Sequence, residues 1–224
     1  NLLFIKAFEG IGLAELGDRA GAWSVLQSAA ELATRLREPL LLTHVRIHIE
    51  QLQLTSGTQA DIEAAYHSAQ QSVTSAGINP LLHGQSLINL ARAQLLLGEH
   101  ASALETGRKA AALLSATPAH LIFLNTVIIE CLLAQGRPSE AAAEAKRGLA
   151  SIAELGIGGY GEVGFLRAAA LALHAAGELE AARSTLAEGQ RQIRLRAEKM
   201  TDREVRSRYL TGVAENRMLL SLAL

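Results

Sequence analysis

The chain is poor in the residues that build most non-helical folds. Four of its 224 residues are proline and 4% are aromatic, which argues against an antiparallel β-sandwich or barrel built on aromatic strands. It has one cysteine, Cys131, so no disulfide can form within the chain; a reducing compartment fits, and a cytoplasmic location is expected. Charge of one sign is lacking too. Basic and acidic residues number 21 and 22, for a formal net charge of −1, so no global field draws the chain to nucleic acid or to an anionic membrane. Every apolar run is interrupted before the roughly 18–20 residues a spanning helix needs, and no cleavable signal pattern opens the chain. Neither nucleic acid nor membrane is expected as a partner.

What the chain has in quantity is 40 alanines and 39 leucines, both strong helix formers, and the expected class is all-α. The glycines carry a period. Gly17, Gly57, Gly98, Gly136 and Gly177 lie 40, 41, 38 and 41 residues apart, and Pro39, Pro80 and Pro118 repeat at 41 and 38, each where one unit ends and the next begins. An alanine follows the glycine by five residues in four units (Ala22, Ala103, Ala141, Ala182), while in the second the best equivalent is Ala64, two residues late. Each glycine separates two amphipathic runs, as in Leu87 to Leu104, which reads as an αα-hairpin closed by a left-handed glycine. Asp18, Glu99 and Glu178, just after it, favour the positive end of the next helix. First helices are predicted at 3–16, 40–55, 81–97, 119–135 and 161–176, and second helices at 19–36, 59–76, 100–115, 138–154 and 179–198.

These residues resemble the tetratricopeptide repeat family in its longer form of about forty residues, found in regulatory regions of large bacterial signalling proteins. The resemblance runs over nearly the whole chain. The family places a small residue seven positions before the glycine; Gly10, Ala91 and Ala170 meet this, whereas Glu50 and Ile129 depart, and the fourth hairpin is expected to pack less closely. The resemblance implies an α-solenoid of stacked antiparallel hairpins in a right-handed superhelix. Five hairpins are assigned to residues 1–38, 39–79, 80–117, 118–158 and 159–200, followed by capping helices over 201–224 with a break at Thr211 to Gly212. Met218, Leu219, Leu220 and Leu222 are expected to cover the fifth hairpin.

Textual motifs for chemistry all have plainer readings. Gly156-x-Gly158-x-x-Gly161 lacks the preceding strand that a dinucleotide site requires, and reads as a connector. His44 and His48 share a helix face at metal-ligand spacing, yet no motif places a third ligand. Cys131 sits in an apolar run as a small hydrophobe. Seven basic residues between Arg191 and Arg208 lack interleaved aromatics and read as a solvated face. No nucleophile, base and orienting acid form a set, so neither catalysis nor a cofactor is expected.

An array of this kind lines its concave surface with first helices. On that alignment the candidate groove residues are Phe4, Gln51, Ile88, Arg92, Phe123, Glu130, Arg167 and His174. A Lys/Asn/Arg clamp for a terminal carboxylate is not matched, since the corresponding places in the first hairpin read Phe4, Ala7 and Ile11. The expected function is a non-catalytic interaction or scaffolding module that takes a protein or peptide in its groove, or contacts other domains of its own chain. The alternative is a small-molecule-sensing domain that controls an attached ATPase, kinase, cyclase or DNA-binding domain. The chain starts at Asn1 inside a helical pattern, which reads as a segment of a larger bacterial protein.

Overall fold

The computed structural model describes residues 2–115, 117–155 and 161–224. Among them twelve helices run in order: α1 (Leu2–Glu15), α2 (Arg19–Arg35), α3 (Pro39–Leu54), α4 (Gln59–Ser75), α5 (Pro80–Leu96), α6 (His100–Leu114), α7 (Pro118–Ala134), α8 (Pro138–Leu155), α9 (Glu162–Ala175), α10 (Leu179–Glu198), α11 (Arg203–Thr211) and α12 (Ala214–Ser221). The ten hairpin helices begin and end within one residue of the positions that periodicity and punctuation predict. Gly156 and Gly158 of the glycine cluster lie outside the described residues.

The reason is local chemistry that recurs. All five turn glycines take a left-handed backbone, with φ between 67° and 82°, a region that costs a side-chain-bearing residue about 1–2 kcal/mol. In four hairpins the amide after the glycine reaches back five residues to close the first helix: Asp18 to Leu13, Glu99 to Gln94, Arg137 to Leu132 and Glu178 to Leu173, at 2.8–2.9 Å. The second hairpin differs, and there the Thr58 amide donates to the Ser56 hydroxyl at 3.1 Å. Proline at the first position of α3, α5 and α7 costs nothing, because that amide has no helical partner. Asp18 caps α2 by accepting from the Gly21 amide at 2.9 Å, whereas Glu99 and Glu178 make no such bond.

Small residues let the helices close. Ala22, Ala103, Ala141 and Ala182 are all fully buried. In the second hairpin the fifth residue after the glycine is Ile62, which is buried, so the expectation for Ala64 is corrected: α4 starts in the same phase as its counterparts, and two further residues turn Ala64 round to the exposed side. Of the five hairpins α7 with α8 packs least intimately among the described residues and α5 with α6 most, as the bulky Ile129 in place of a small residue implies.

The second departure from the small-residue position is accommodated differently. Glu50 is fully buried, and its carboxylate accepts from the Ser68 hydroxyl at 2.8 Å, the Ser72 hydroxyl at 2.7 Å and the Asn89 amide at 3.0 Å. Those donors come from α4 and α5, so the network ties the second hairpin to the third. Burial pushes the Glu50 carboxyl above its ordinary value, and the three hydrogen bonds with the Arg46 charge pull it back in part.

Candidate functional site

Each first helix touches the next first helix in the series α1, α3, α5, α7, α9, while no pair of consecutive second helices makes a comparable contact among the described residues. That asymmetry bends the array and puts the first helices on its inner wall. Counting back from each turn glycine, the positions thirteen, nine and six residues earlier share one helix face. The thirteenth-position row reads Phe4, His44, Gln85, Phe123 and Gly164; the sixth-position row reads Ile11, Gln51, Arg92, Glu130 and Leu171, all half-buried. The ninth-position row between them is buried from His48 to Ala168, so the accessible stripe of the inner wall is the sixth-position row with Phe4, His44, Gln85 and Phe123 of the thirteenth, Gly164 being buried.

Its N-terminal half holds two polar groups, one on α3 and one between α5 and α7. Phe4 lies against the His44 ring with centroids 5.5 Å apart, and His44 meets His48 edge-on at 5.0 Å. His48 Nδ1 bonds Gln51 Oε1 at 3.0 Å, and Gln85 Nε2 on α5 bonds His120 Nε2 on α7 at 2.6 Å. Burial lowers the pKa of His44 and of His120, and drives His48 down to about 4 despite its bond to Gln51, with the His44 and His120 charges adding to the shift. Nε2 of His44, Nε2 of His48, Nδ1 of His120 and Oε1 of Gln85 are shut off from solvent without a hydrogen-bond partner in the chain. Buried polar atoms left unpaired cost about 1–3 kcal/mol each, and Gln94 Oε1, Arg167 Nε and Tyr209 Oη are in the same state elsewhere among the described residues.

At its C-terminal end the wall is covered over α9 by the chain's own last helix. Helix α12 packs on α9 and α10, where a sixth first helix would sit, and buries Leu219 completely while Met218 points outward. Glu215 lies over Gly164, the innermost-row residue of α9, and pairs with Arg92 of α5 at 3.4 Å. Beyond it, α11 reaches the first hairpin. A Cβ at Gly17 would lie 2.5 Å from the Arg208 carbonyl oxygen, and the Arg208 guanidinium is 3.7 Å from Asp18. The last segment therefore spans from the fifth hairpin back to the first.

Solved structures share the fold. A Rap protein complexed with competence and sporulation factor superposes with a TM-score of 0.67 at 12% identity, over 98% of this chain and 64% of that one. A Podosopora anserina protein of kinesin light chain type, made of nearly identical TPR-like repeats, superposes at 0.57 with 17% identity, over 88% of this chain and 97% of that one; a further crystal structure of such a protein gives 0.56. The fold is that of TPR-like repeat proteins. No family model matches the sequence, and no curated protein sequence does.

On the TPR-like inner wall the eight residues named from sequence part company. Phe4 and Gln51 border the histidine cluster. Arg92 and Arg167 lie among the first helices and are both engaged, Arg92 by Glu215 and Arg167 by Glu130, which joins α7 to α9. Phe123 is half-buried against the central core. Ile88 has to be corrected: it is 6% exposed and packed in that core, because it stands ten residues before its glycine, a register that is also buried at Ala7, Ile47 and Thr126. Arg167 shares that register and escapes it by reaching out to Glu130. His174 is exposed in the last turn of α9, away from the stripe.

Sequence reasoning passed over Gln85 and His120, and weighed His44 and His48 only as metal ligands. The signal was present for His44 and Gln85, which repeat the offset of Phe4 and Phe123; His120 lies off that register and only the fold brings it to Gln85. The basic stretch is also more than a solvated face. Arg196 pairs with the fully buried Glu162 at 2.5 Å, Arg206 donates to the Met200 carbonyl and Arg208 meets Asp18. Cys131 is fully buried and its thiol is pushed up to about 12, by burial first and then by the Glu130 charge, so it stays protonated and unreactive. Outside the inner wall, an open depression of about 740 Å³ lies between α2 and α4, lined by Trp23, Gln27, Glu31, Arg35 and Arg46. No helix among the described residues is long and apolar enough to cross a membrane.

Proposed function

We propose that the chain is a non-catalytic interaction module that holds a peptide or protein segment along its inner wall. What supports this is the stripe itself. First-helix faces that would be solid core in a bundle carry half-buried polar and charged side chains at matched positions in consecutive hairpins, a surface suited to running contact with an extended partner. The Rap protein named above is complexed with a factor, and an equivalent use of the same fold fits this wall. No side chain on the stripe has an activated nucleophile or a base–orienter pair, so binding rather than turnover is the activity assigned. In its setting, the module serves as the regulatory or scaffolding part of a larger bacterial signalling protein in the cytoplasm, contacting its partner or its own neighbouring domains.

A displayed peptide library tests this. Selected peptides should bind the chain in titration calorimetry and lose affinity about tenfold in Gln51→Ala or Phe4→Ala, while Trp23→Ala in the outer depression leaves them unchanged. Peptides that respond to Trp23→Ala alone would move the site to the outer face and refute the proposal.

A further inference from the structure

We infer that the α1 face carrying Ile5, Phe8 and Gly12 is the seat of a further αα-hairpin lying ahead of α1 in the same polypeptide, stacked on it as each hairpin stacks on the next. This rests on the reading above that the module belongs to a larger protein, and it names the surface that joins the two; the peptide-binding reading plays no part in it. The repeat register sets this face apart. Counting back from each turn glycine, the positions twelve, nine and five residues earlier, such as Leu124, Val127 and Cys131 in the fourth hairpin, are 8% exposed or less in the second, third, fourth and fifth hairpins alike. In the first hairpin the same positions hold Ile5 at 63%, Phe8 at 64%, and Gly12, which is half-buried with open space where a Cβ would stand. A lone exposed apolar side chain is ordinary. Two large ones beside a glycine, at positions buried in every other hairpin, mark an interface without its other half.

Inside the array those positions are covered by the preceding hairpin. A Cβ on Gly107 of α6 would touch Leu124 of α7 at 3.6 Å, one on Gly148 of α8 would stand 2.5 Å from the Phe165 ring of α9, and the Asn89 side-chain amide of α5 donates to the Ile47 carbonyl of α3 at 2.8 Å. Every second helix carries a buried small residue twelve after its turn glycine: Ala29, Ala69, Ala110, Gly148 and Gly189. At the last of them the next element is α12, since a Cβ on Gly189 would lie 2.6 Å from Leu219. The outgoing face of the fifth hairpin is thus filled, while the incoming face of the first is bare among the described residues. A second copy of the chain is a poor match. Its own α1 would set one bulky face on another, and its last second-helix seat already holds Leu219. The strip offered by the fourteen residues of α1 is about 20 Å by 10 Å, well short of the roughly 800 Å² per partner of a free-standing interface. The four internal seams are single-helix strips of the same kind, and they hold because short connectors keep successive hairpins at high effective concentration. The occupant is therefore a hairpin joined to α1, with alanine or glycine on its second helix where it crosses Ile5.

The test compares amide exchange in α1 for three proteins: the chain itself, the chain with a copy of its residues 80–119 placed directly before Asn1, and the natural polypeptide taken back by one repeat of about forty residues. The copied hairpin enters α1 in the register in which it enters α7. Exchange in α1 should slow about tenfold in both longer proteins. Phe8→Glu should cancel that slowing while leaving the exchange and circular dichroism of the short chain as they were, and Phe8→Ser should do the same without adding a charge. The inference is overturned if α1 exchanges alike in all three proteins, if both variants leave the longer proteins protected, or if the short chain sediments as a dimer that Phe8→Glu dissociates, which would make a second copy the occupant. Protection by the copied hairpin but not by the natural extension also overturns it and leaves the larger-protein reading standing, whereas a natural polypeptide that begins at α1 overturns both. Library peptides that ignore Gln51 and Phe4 bear on the peptide reading alone.

Discussion

Replacing Glu50 by alanine should sever the second hairpin from the third. The side chain is fully buried, and three donors converge on its carboxylate. Ser68 is half-buried and can turn to water, so its loss counts for little. Ser72 and Asn89 are buried, and Asn89 keeps only its bond to the Ile47 carbonyl at 2.8 Å. Two unsatisfied buried donors at about 1–3 kcal/mol each, with a small cavity added, give a loss of roughly 3–5 kcal/mol. Since nearest-neighbour contacts hold a repeat array together, the loss should appear as uncoupling rather than one lower melting point. Hydrogen exchange should accelerate through α1 to α4 while α7 to α10 stay protected. Glu50→Gln should be milder, because the hydroxyls can turn to accept from the new amide, and it isolates the charge. Burial raises the folded pKa of Glu50, so at pH between the ordinary and the folded value the native state holds a proton that the unfolded chain has released. Its contribution is fully present below the ordinary glutamate value and is lost as pH rises through the folded pKa. Denaturant titrations across that window should show the slope in the parent and its absence in Glu50→Gln. A Glu50→Ala chain within about 0.5 kcal/mol of the parent, a normal error for such titrations, would refute the reasoning.

Three further outcomes are expected. Ala103→Phe, Ala141→Phe and Ala182→Phe, at fully buried sites, should each cost roughly 1–3 kcal/mol by overpacking, with exposed Ala64→Phe near neutral; thermal melts of all four decide it. Gly17→Ala and Gly57→Ala meet the same left-handed backbone, at φ 80° and 76°, but only Gly17 faces the Arg208 carbonyl, so Gly17→Ala should be the worse by about 1 kcal/mol or more in denaturant titration. Burial lowers the folded pKa of His48 to about 4 against an ordinary 6.5, so stability from the neutral ring is whole above the ordinary value and falls as pH drops through this window, by roughly 3 kcal/mol; a His48 ring that titrates by NMR near its ordinary value would contradict this.

The sequence by itself determined the helices, their hairpin pairing and the turns, because those depend on interactions within a few residues. A glycine with left-handed backbone, a proline at a helix start and apolar spacing act locally and recur every forty residues, so each unit checks the others. It also marked Glu50 and Ile129 as misfits and led to an expectation of looser packing in the fourth hairpin, but it did not foresee that Glu50 would be absorbed in a buried polar network. The inner stripe was half-legible: Phe4, Gln51, Arg92, Phe123 and Glu130 follow from the repeat register, and Ile88 failed because the part of that face between Gln85 and Arg92 packs into the central core, which depends on the neighbouring hairpins and not on the register. Tertiary structure decided the rest. Arg92 reaches Glu215, Gly17 reaches Arg208 and His120 reaches Gln85 across separations of 123, 191 and 35 residues, and these meetings depend on the accumulated curvature of the array. Each hairpin adds a small rotation that no local pattern encodes, and only their sum brings α12 over α9 and carries α11 back to the first hairpin.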